Sequence, residues 1–448
     1  MKDLAVEVTP VAFRFEGQPF FVKADLRNFD NLKYHIASRG TLDIGKIYRV
    51  FSRQGYDLKG FIETNLSLRG LQSDATSGHY ERLFNAGTMK LRDITLRADL
   101  FPHPFFIRSG NFRFQQDKMW FDAFKVNYGK NQLTLNGYLS NVINYMMERG
   151  TPLKGQFDLA TNYFLVDEFM AFADNKTGSP AGNSNVPPKG ASGVIIVPAD
   201  LAIAFKADAR KVHYNGIDLN DFKGQVTIDS GAIKLQETGF QLVGAPVVMN
   251  GSYKSQSPLK AVFDYHLNAK EFDVKKAYKE IKLFHDLVPA AANAEGIVSL
   301  DYQLSGKLNE HMSPIYPSLK GGGVLSVKKV KMKGWKLFSV VSKETNKNID
   351  NPDLSRVDIK STINNNLITI ERTRVKVSPF RLRFEGQTSF DGKLNLKMRI
   401  GLPPFGLFGI PVHVAGTQDK PLIRLRRGKN GELEETKDDE EGQQGDEL

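Results

Sequence analysis

Met119-Trp-Phe-Asp-Ala-Phe-Lys-Val-Asn-Tyr-Gly-Lys-Asn-Gln-Leu-Thr-Leu-Asn-Gly137 decides the fold. Apolar and polar residues alternate on both sides of Tyr128-Gly129-Lys130-Asn131, so the stretch reads as two strands joined by a tight turn. The same nineteen-residue unit returns as Ile233–Gly251 and Ile368–Gly386. Leu133 falls on Val247 and Leu382, and Leu135 falls on Met249 and Phe384, while Phe124 is matched with Phe240 and Val375. Val243-Gly244-Ala245-Pro246 and Ser378-Pro379 occupy the turn positions.

A shorter pattern extends outward from these units: apolar, any, apolar, any, Gly. It ends at Gly17, Gly70, Gly137, Gly251, Gly306, Gly386 and Gly416. The glycine is expected to permit a bend or turn where the strand ends. Upstream, Gly110–Phe114 matches Gly224–Ile228, and Asp229-Ser230-Gly231 and Asn364-Asn365-Asn366 mark further turns. Two short amphipathic helices are expected. One carries Ile44, Ile47, Tyr48 and Phe51 behind Asp43, and the other carries Val274, Ala277, Tyr278, Ile281, Phe284 and Val288 behind Asp273. Leu4, Val6, Phe13, Phe15 and Gly17 match Phe124, Val126, Leu133, Leu135 and Gly137. The first unit therefore enters at its middle, as expected for the C-terminal part of a longer array.

The expected architecture is mainly β: an elongated, repeat-built antiparallel sheet or groove with a few short helices. Residues 1–173 form repeated hairpin units truncated at the start. Residues 174–198, rich in Gly, Pro, Ser and Asn, read as a flexible loop. Residues 199–428 form a second β region, and 429–448 an acidic, aromatic-free tail expected to be disordered.

Composition removes several classes of chemistry. The 448 residues include no Cys, which excludes disulfides, thiol nucleophiles and Cys-held metals. Eight His are scattered without metal-ligand spacing, so no metal or cofactor is expected. Gly321-Gly322-Gly323 lacks the Gly-Lys-Ser/Thr of a phosphate loop, no Gly-x-Ser-x-Gly occurs, and no carboxylate pair stands out. An enzyme is not expected. The formal charge is +11, although the last twenty residues alone hold nine acids and two lysines. The positive charges are spread singly along the strands, as for solvated faces, so nucleic acid is not the expected partner. No uncharged apolar run reaches the ~18 residues of a membrane span. The run Leu402, Phe405, Leu407, Phe408 and Ile410 is a candidate for membrane or partner contact, or equally for a cap that closes the sheet.

The closing stretch Leu394–Gly428, with Gly401-Leu-Pro-Pro404 and Gly416-Thr-Gln-Asp-Lys-Pro421 inside it, resembles the C-terminal region of AsmA-like envelope proteins. Ala294–Gly323 also resembles that family, and the likeness is best over 199–428. The resemblance implies a Gram-negative periplasmic protein, held to the inner membrane by an N-terminal helix that this chain as written lacks. It implies a long open β groove, phospholipid movement between the membranes, and a part in outer-membrane assembly. Partners on this reading are phospholipid, the inner or outer membrane and outer-membrane assembly proteins. The candidate lipid contacts are the in-phase positions Phe13, Phe15, Leu133, Leu135, Val247, Met249, Leu382 and Phe384, or else their alternates on the other strand face. The rival reading is a periplasmic scaffold that modulates outer-membrane protein assembly without carrying lipid.

Overall fold

The computed structural model describes residues 4–15, 17–45, 56–99, 101–147, 151–170, 193–333, 353–377, 380–402, 409–417 and 420–425. Among the described residues the chain is mainly β, arranged as open, almost wholly antiparallel sheet, as the alternation predicts. It divides into two compact units: Met1–Phe240 with Asn250–Phe263 and Leu308–Ser313, and Gln241–Met249 with Asp264–Lys307 and Pro314–Leu448.

In the first unit, nine strands pair antiparallel in chain order. They are β1 (Ala5–Phe15), β2 (Gln18–Arg27), β3 (Lys33–Asp43), β4 (Tyr56–Leu71), β5 (Ala86–Ala98), β6 (Phe105–Gln115), β7 (Lys118–Tyr128), β8 (Asn131–Ser140) and β9 (Leu153–Thr161). Short helices α1 (Gln72–Thr76) and α2 (Val142–Met147) follow β4 and β8. After β10 (Phe164–Leu165), β11 (Leu201–Tyr214) breaks the antiparallel rule. It pairs parallel with β9, Phe205 opposite Phe157, and antiparallel with β12 (Ile217–Asp229). A parallel partner needs a crossover of a dozen or more residues, and 162–200 supplies it.

β13 (Ala232–Leu242), β14 (Ala245–Ser257) and β15 (Lys260–Asp273) follow. Helices α3 (Val274–Glu280) and α4 (Lys282–Leu287) come next. The second unit then runs antiparallel through eight strands. They are β16 (Ala294–Leu308), β17 (Lys320–Met332), β18 (Asp353–Asn364), β19 (Leu367–Val377), β20 (Phe380–Ser389), β21 (Lys393–Gly401), β22 (Gly409–Thr417) and β23 (Pro421–Leu425).

The three aligned units are the hairpins β7–β8, β13–β14 and β19–β20, with strands that stop and restart at matching positions. Val243 and Gly244 both have positive φ (54° and 81°), as a two-residue type I′ turn requires. So do Ser230 and Gly231 (51° and 76°), and Asn365 and Asn366 (48° and 67°). Ser378-Pro379 lies outside the described residues.

Three details of the sequence reading are corrected, and a fourth falls mostly outside the described residues. Counted along the nineteen-residue alignment, Val126 and not Phe124 falls on Phe240 and Val375, while Phe124 falls on Thr238 and Thr373; the ladder agrees, placing Val126 opposite Leu133 and Val375 opposite Leu382. The match of Leu4 and Val6 with Phe124 and Val126, and of Phe13 and Phe15 with Leu133 and Leu135, does not hold as a hairpin, because Ala5–Phe15 is one strand. Thr9-Pro10 forms a bulge inside the continuous β1, where an edge strand tolerates proline. The helix after Asp273 is two helices, because Ile281 is extended (φ −111°, ψ 102°); the Asp273 cap itself is present, accepting from Lys276 N at 2.8 Å. Of the helix after Asp43 the described part ends at Gly45, whose N–H donates to Asp43 Oδ1 at 2.9 Å.

The repeat glycines also differ from expectation. Gly137, Gly251 and Gly386 lie inside strands, with φ of 153°, 159° and 141°. A Cβ on Gly137 would collide with the Gln156 carbonyl oxygen and Phe157 Cα of the next strand. The glycine therefore lets the strand bend onto its neighbour and continue. Opposite it lies a bulge, where the register slips between Phe121 and Phe124 in one unit and between Ile370 and Thr373 in another. Asn136, just before Gly137, accepts the N–H of bulged Ala123 at 2.7 Å, and Asn250, just before Gly251, does the same for Glu237 at 2.7 Å. Ala123 and Glu237 both sit at positive φ (46° and 48°).

The interval 174–198 is described only from Gly193 onward, and that end is packed and not loose. Val194 is fully buried and donates to Pro258 O at 2.9 Å, and Tyr253 donates to Ile195 O at 2.8 Å. The acidic tail lies outside the described residues.

Candidate functional site

The apolar face of the first unit is continuous across β4–β9 and β11. Nine residues are buried there, and ten more hydrophobics pack on them half-buried. Its centre is an aromatic ladder. Phe112 and Phe121 face each other across β6 and β7 with ring centroids 4.4 Å apart, and Phe124 stacks on Phe112 at 5.1 Å. Phe121 meets Phe157 edge-on at 5.2 Å, and Phe157 stacks on Phe205 at 6.0 Å. Each such pair adds about 0.5–1.5 kcal/mol beyond area burial. Phe105, Met119, Leu135, Leu139, Leu201 and Phe205 stay partly accessible at the margin.

The sequence candidates distribute unevenly over this frame. Leu133 and Leu135 are half-buried on the apolar face, opposite Val126 and Phe124. Phe13 is 40% exposed on β1 and packs on Phe20, centroids 5.4 Å apart. Phe15 ends β1, and its side chain lies outside the description. In the second unit Val247 and Leu382 are 2% and 4% exposed, and Met249 and Phe384 are half-buried. Leu382 faces Val375 and Ile400, and Phe384 faces Thr373 and Met398, all four of them buried. The alternation leaves the other face polar, with Thr134 and Asn136 in β8 and Arg381, Arg383 and Glu385 in β20. The in-phase residues themselves therefore form the apolar face. Leu402 and Ile410 are half-buried beside β21 and β22, and Phe405, Leu407 and Phe408 lie outside the described residues, as does Trp335. Trp120 is on the polar face of β7, against Tyr138 at 5.0 Å and beneath Lys118 at 5.6 Å.

Sequence reading missed a polar depression of about 740 Å³ in the second unit, lined among others by Asn268, Glu271, Ser299, Asp301, Ser326 and Lys328. Glu271 sits in the left-handed region (φ 56°), and its N–H donates to Ser299 Oγ at 3.0 Å. Asp301 contacts His266 Nε2 at 2.6 Å and accepts from Asn268 at 2.9 Å. The His266 hydrogen bond holds the Asp301 carboxyl below its ordinary range, and the Lys328 ammonium does the same for Glu271. A general acid requires a raised carboxyl. Both of these are lowered and engaged, so the depression is a network of mutually satisfied charges. No sequence motif marks it, because its members come from β15, β16 and β17 at unrelated spacings.

Among the described residues no group of three or more His, Asp or Glu is arranged to hold a metal ion, and no helix is long and apolar enough to cross a membrane. Comparison of the chain with protein-family models, with curated proteins and with solved structures gave no match.

Proposed function

We propose that this chain is a non-enzymatic, AsmA-like component of the Gram-negative envelope that holds or conducts phospholipid along the apolar face of its sheet. On this reading it works in the periplasm, associated with the inner membrane in the full-length protein, and supports outer-membrane assembly. The observation that carries the reading is the margin of ten half-buried hydrophobics around the nine buried ones on the first unit's sheet. Apolar surface of that extent gains by being covered, and an acyl chain contributes about 0.8 kcal/mol per CH2 transferred from water. The mechanism is passive: acyl chains lie along the Phe and Leu side chains, head groups stay in solvent, and no bond is made or broken.

A photo-crosslinking residue tests this at Leu135 and at its outward neighbour Thr134. Crosslinking in envelope preparations should capture phospholipid from position 135 and little from 134. Equal capture at both positions, or none at 135 together with lipid-free purified protein, would favour the scaffold reading instead.

A further inference from the structure

The polar face of the first unit carries a band without carboxylates that only the strand register reveals. Asn65, Thr88, Arg113, Trp120, Tyr138 and Gln156 stand opposite one another in a single row across β4–β9. Two residues along the same face, Gln115 faces Lys118 and Ser140 faces Lys154. At the centre the Trp120 and Tyr138 rings lie 5.0 Å apart, and Tyr138 donates to Gln156 Oε1 at 3.4 Å. Lys118 Nζ stands 4.1 Å from the Tyr138 ring centroid and 5.6 Å from that of Trp120, and the Arg113 guanidinium is 6.0 Å from the Trp120 centroid. Among the described residues no carboxylate forms an ion pair with Arg113, Lys118 or Lys154. Arg113 and Lys154 are exposed, as are Asn65, Thr88 and Gln156, while Lys118 and the two rings are half-buried. The row on the other side of the band is acidic: it holds Glu63, Asp122 and Asp158, with Glu63 3.5 Å from Lys90.

An aromatic ring attracts a cation through its quadrupole without cancelling the charge. Arg113 and Lys118 are therefore held in place and still open to an anion. Beside them Asn65, Thr88 and Gln156 can each donate and accept hydrogen bonds, as sugar hydroxyls require. Six strands spaced about 4.8 Å apart make the row roughly 24 Å long, which suits a chain-like ligand. The acidic row confines an anion to the band, whereas a flat anionic bilayer would meet both rows at once. Single-stranded nucleic acid stacks its bases on aromatic faces, and here the resident cations engage those faces. We propose that this band binds an acidic saccharide chain. Its acid groups meet Arg113, Lys118 and Lys154, and its hydroxyls meet Asn65, Thr88 and Gln156. The band lies on the sheet face opposite the aromatic ladder, and the proposal does not rest on lipid carriage.

The test is titration of the full chain with polygalacturonate, an acidic saccharide, against neutral dextran, poly-glutamate and oligo(dT). Polygalacturonate should bind more tightly than any of the other three. Arg113→Gln combined with Lys118→Gln should weaken that binding by about tenfold or more, the loss expected for charge-assisted hydrogen bonds. The same charge change elsewhere in the first unit, Lys125→Gln with Lys206→Gln, should leave it within about twofold, because exposed charges outside the band are screened. Trp120→Leu removes no charge, yet it should weaken binding by about threefold, since the ring no longer holds the two cations. Circular dichroism checks that each variant folds, and if Trp120→Leu does not, the two double variants decide the matter. Equal binding of poly-glutamate, tighter binding of oligo(dT), equal losses from the two double variants, or a folded Trp120→Leu that binds like the parent would each overturn the proposal.

Discussion

Glu295 stands between two lysines that the chain brings from different directions: Lys275 of α3 at 2.8 Å and Lys333, just past β17, at 2.6 Å. The Lys275 hydrogen bond, reinforced by that of Lys333, lowers the Glu295 carboxyl from 4.5 to about 2. A carboxyl depressed in the folded state stabilises the fold above its unfolded pKa, and that contribution fades as pH falls through the folded value. Glu295→Gln should therefore melt below the parent at neutral pH. The gap should close as pH falls from 4.5 toward 2. Because all three groups are solvent-accessible, added salt should narrow the gap as well. Thermal unfolding across that pH range checks both; a gap that persists at the acid end would mean the substitution acts through packing. Contacts of this kind show why residue-scale features were unevenly legible. Asp273 could be identified as a cap because its partner, Lys276, is three residues away. Glu295 could not, because its partners are twenty residues back and thirty-eight ahead.

At the scale of the element, the recurring unit is a bulged hairpin held by two adjacent residues. Asn136 fixes the bulge by accepting the Ala123 N–H, while Gly137 lets β8 close onto β9. Loss of a side-chain acceptor for a constrained backbone N–H costs about 1 kcal/mol. Asn136→Ala should therefore destabilise the chain by about that amount, and Asn136→Asp, which keeps the acceptor oxygen, should restore most of it. Gly137→Ala should cost more, about 2–3 kcal/mol, since it combines an unfavourable positive φ with a backbone collision. Denaturant midpoints of the three variants check the order. If Asn136→Asp melts with Asn136→Ala, the hydrogen bond is not what holds the bulge. The hairpins were legible because alternation and turn residues are local, and the three units match in strand bounds. The bulge was not, since two-residue periodicity gives no sign of a slip in register. Nor was the parallel β9–β11 pairing, which is decided across a crossover and not by any neighbour in sequence.

Across the molecule, one alternation serves two kinds of surface. At one in-phase position Leu133 of the first unit is half-buried whereas its second-unit counterparts Val247 and Leu382 are sealed; at the next, Leu135, Met249 and Phe384 are all half-buried. Sequence could assign these residues to one face, because parity is local. It could not assign their exposure, because that depends on which distant segments close over them. This difference separates the candidate lipid contacts, and it has a thermodynamic consequence. A ligand that covers the first unit's apolar face binds the folded state and not the unfolded one, so it must raise stability by mass action. A delipidated chain given a short-chain phosphatidylcholine at a hundredfold excess over its dissociation constant should gain about 2.7 kcal/mol. Amide exchange should slow in β7 and β8, beneath the bound chains, and change less in β20, where Leu382 is already sealed. Leu135→Lys, which places a charge on the floor, should abolish the gain, whereas Thr134→Lys on the polar face should keep it. Protection spread evenly over β8 and β20, or a gain that survives Leu135→Lys, would mean that the lipid acts as a nonspecific detergent and that the apolar face of the first unit is not its site.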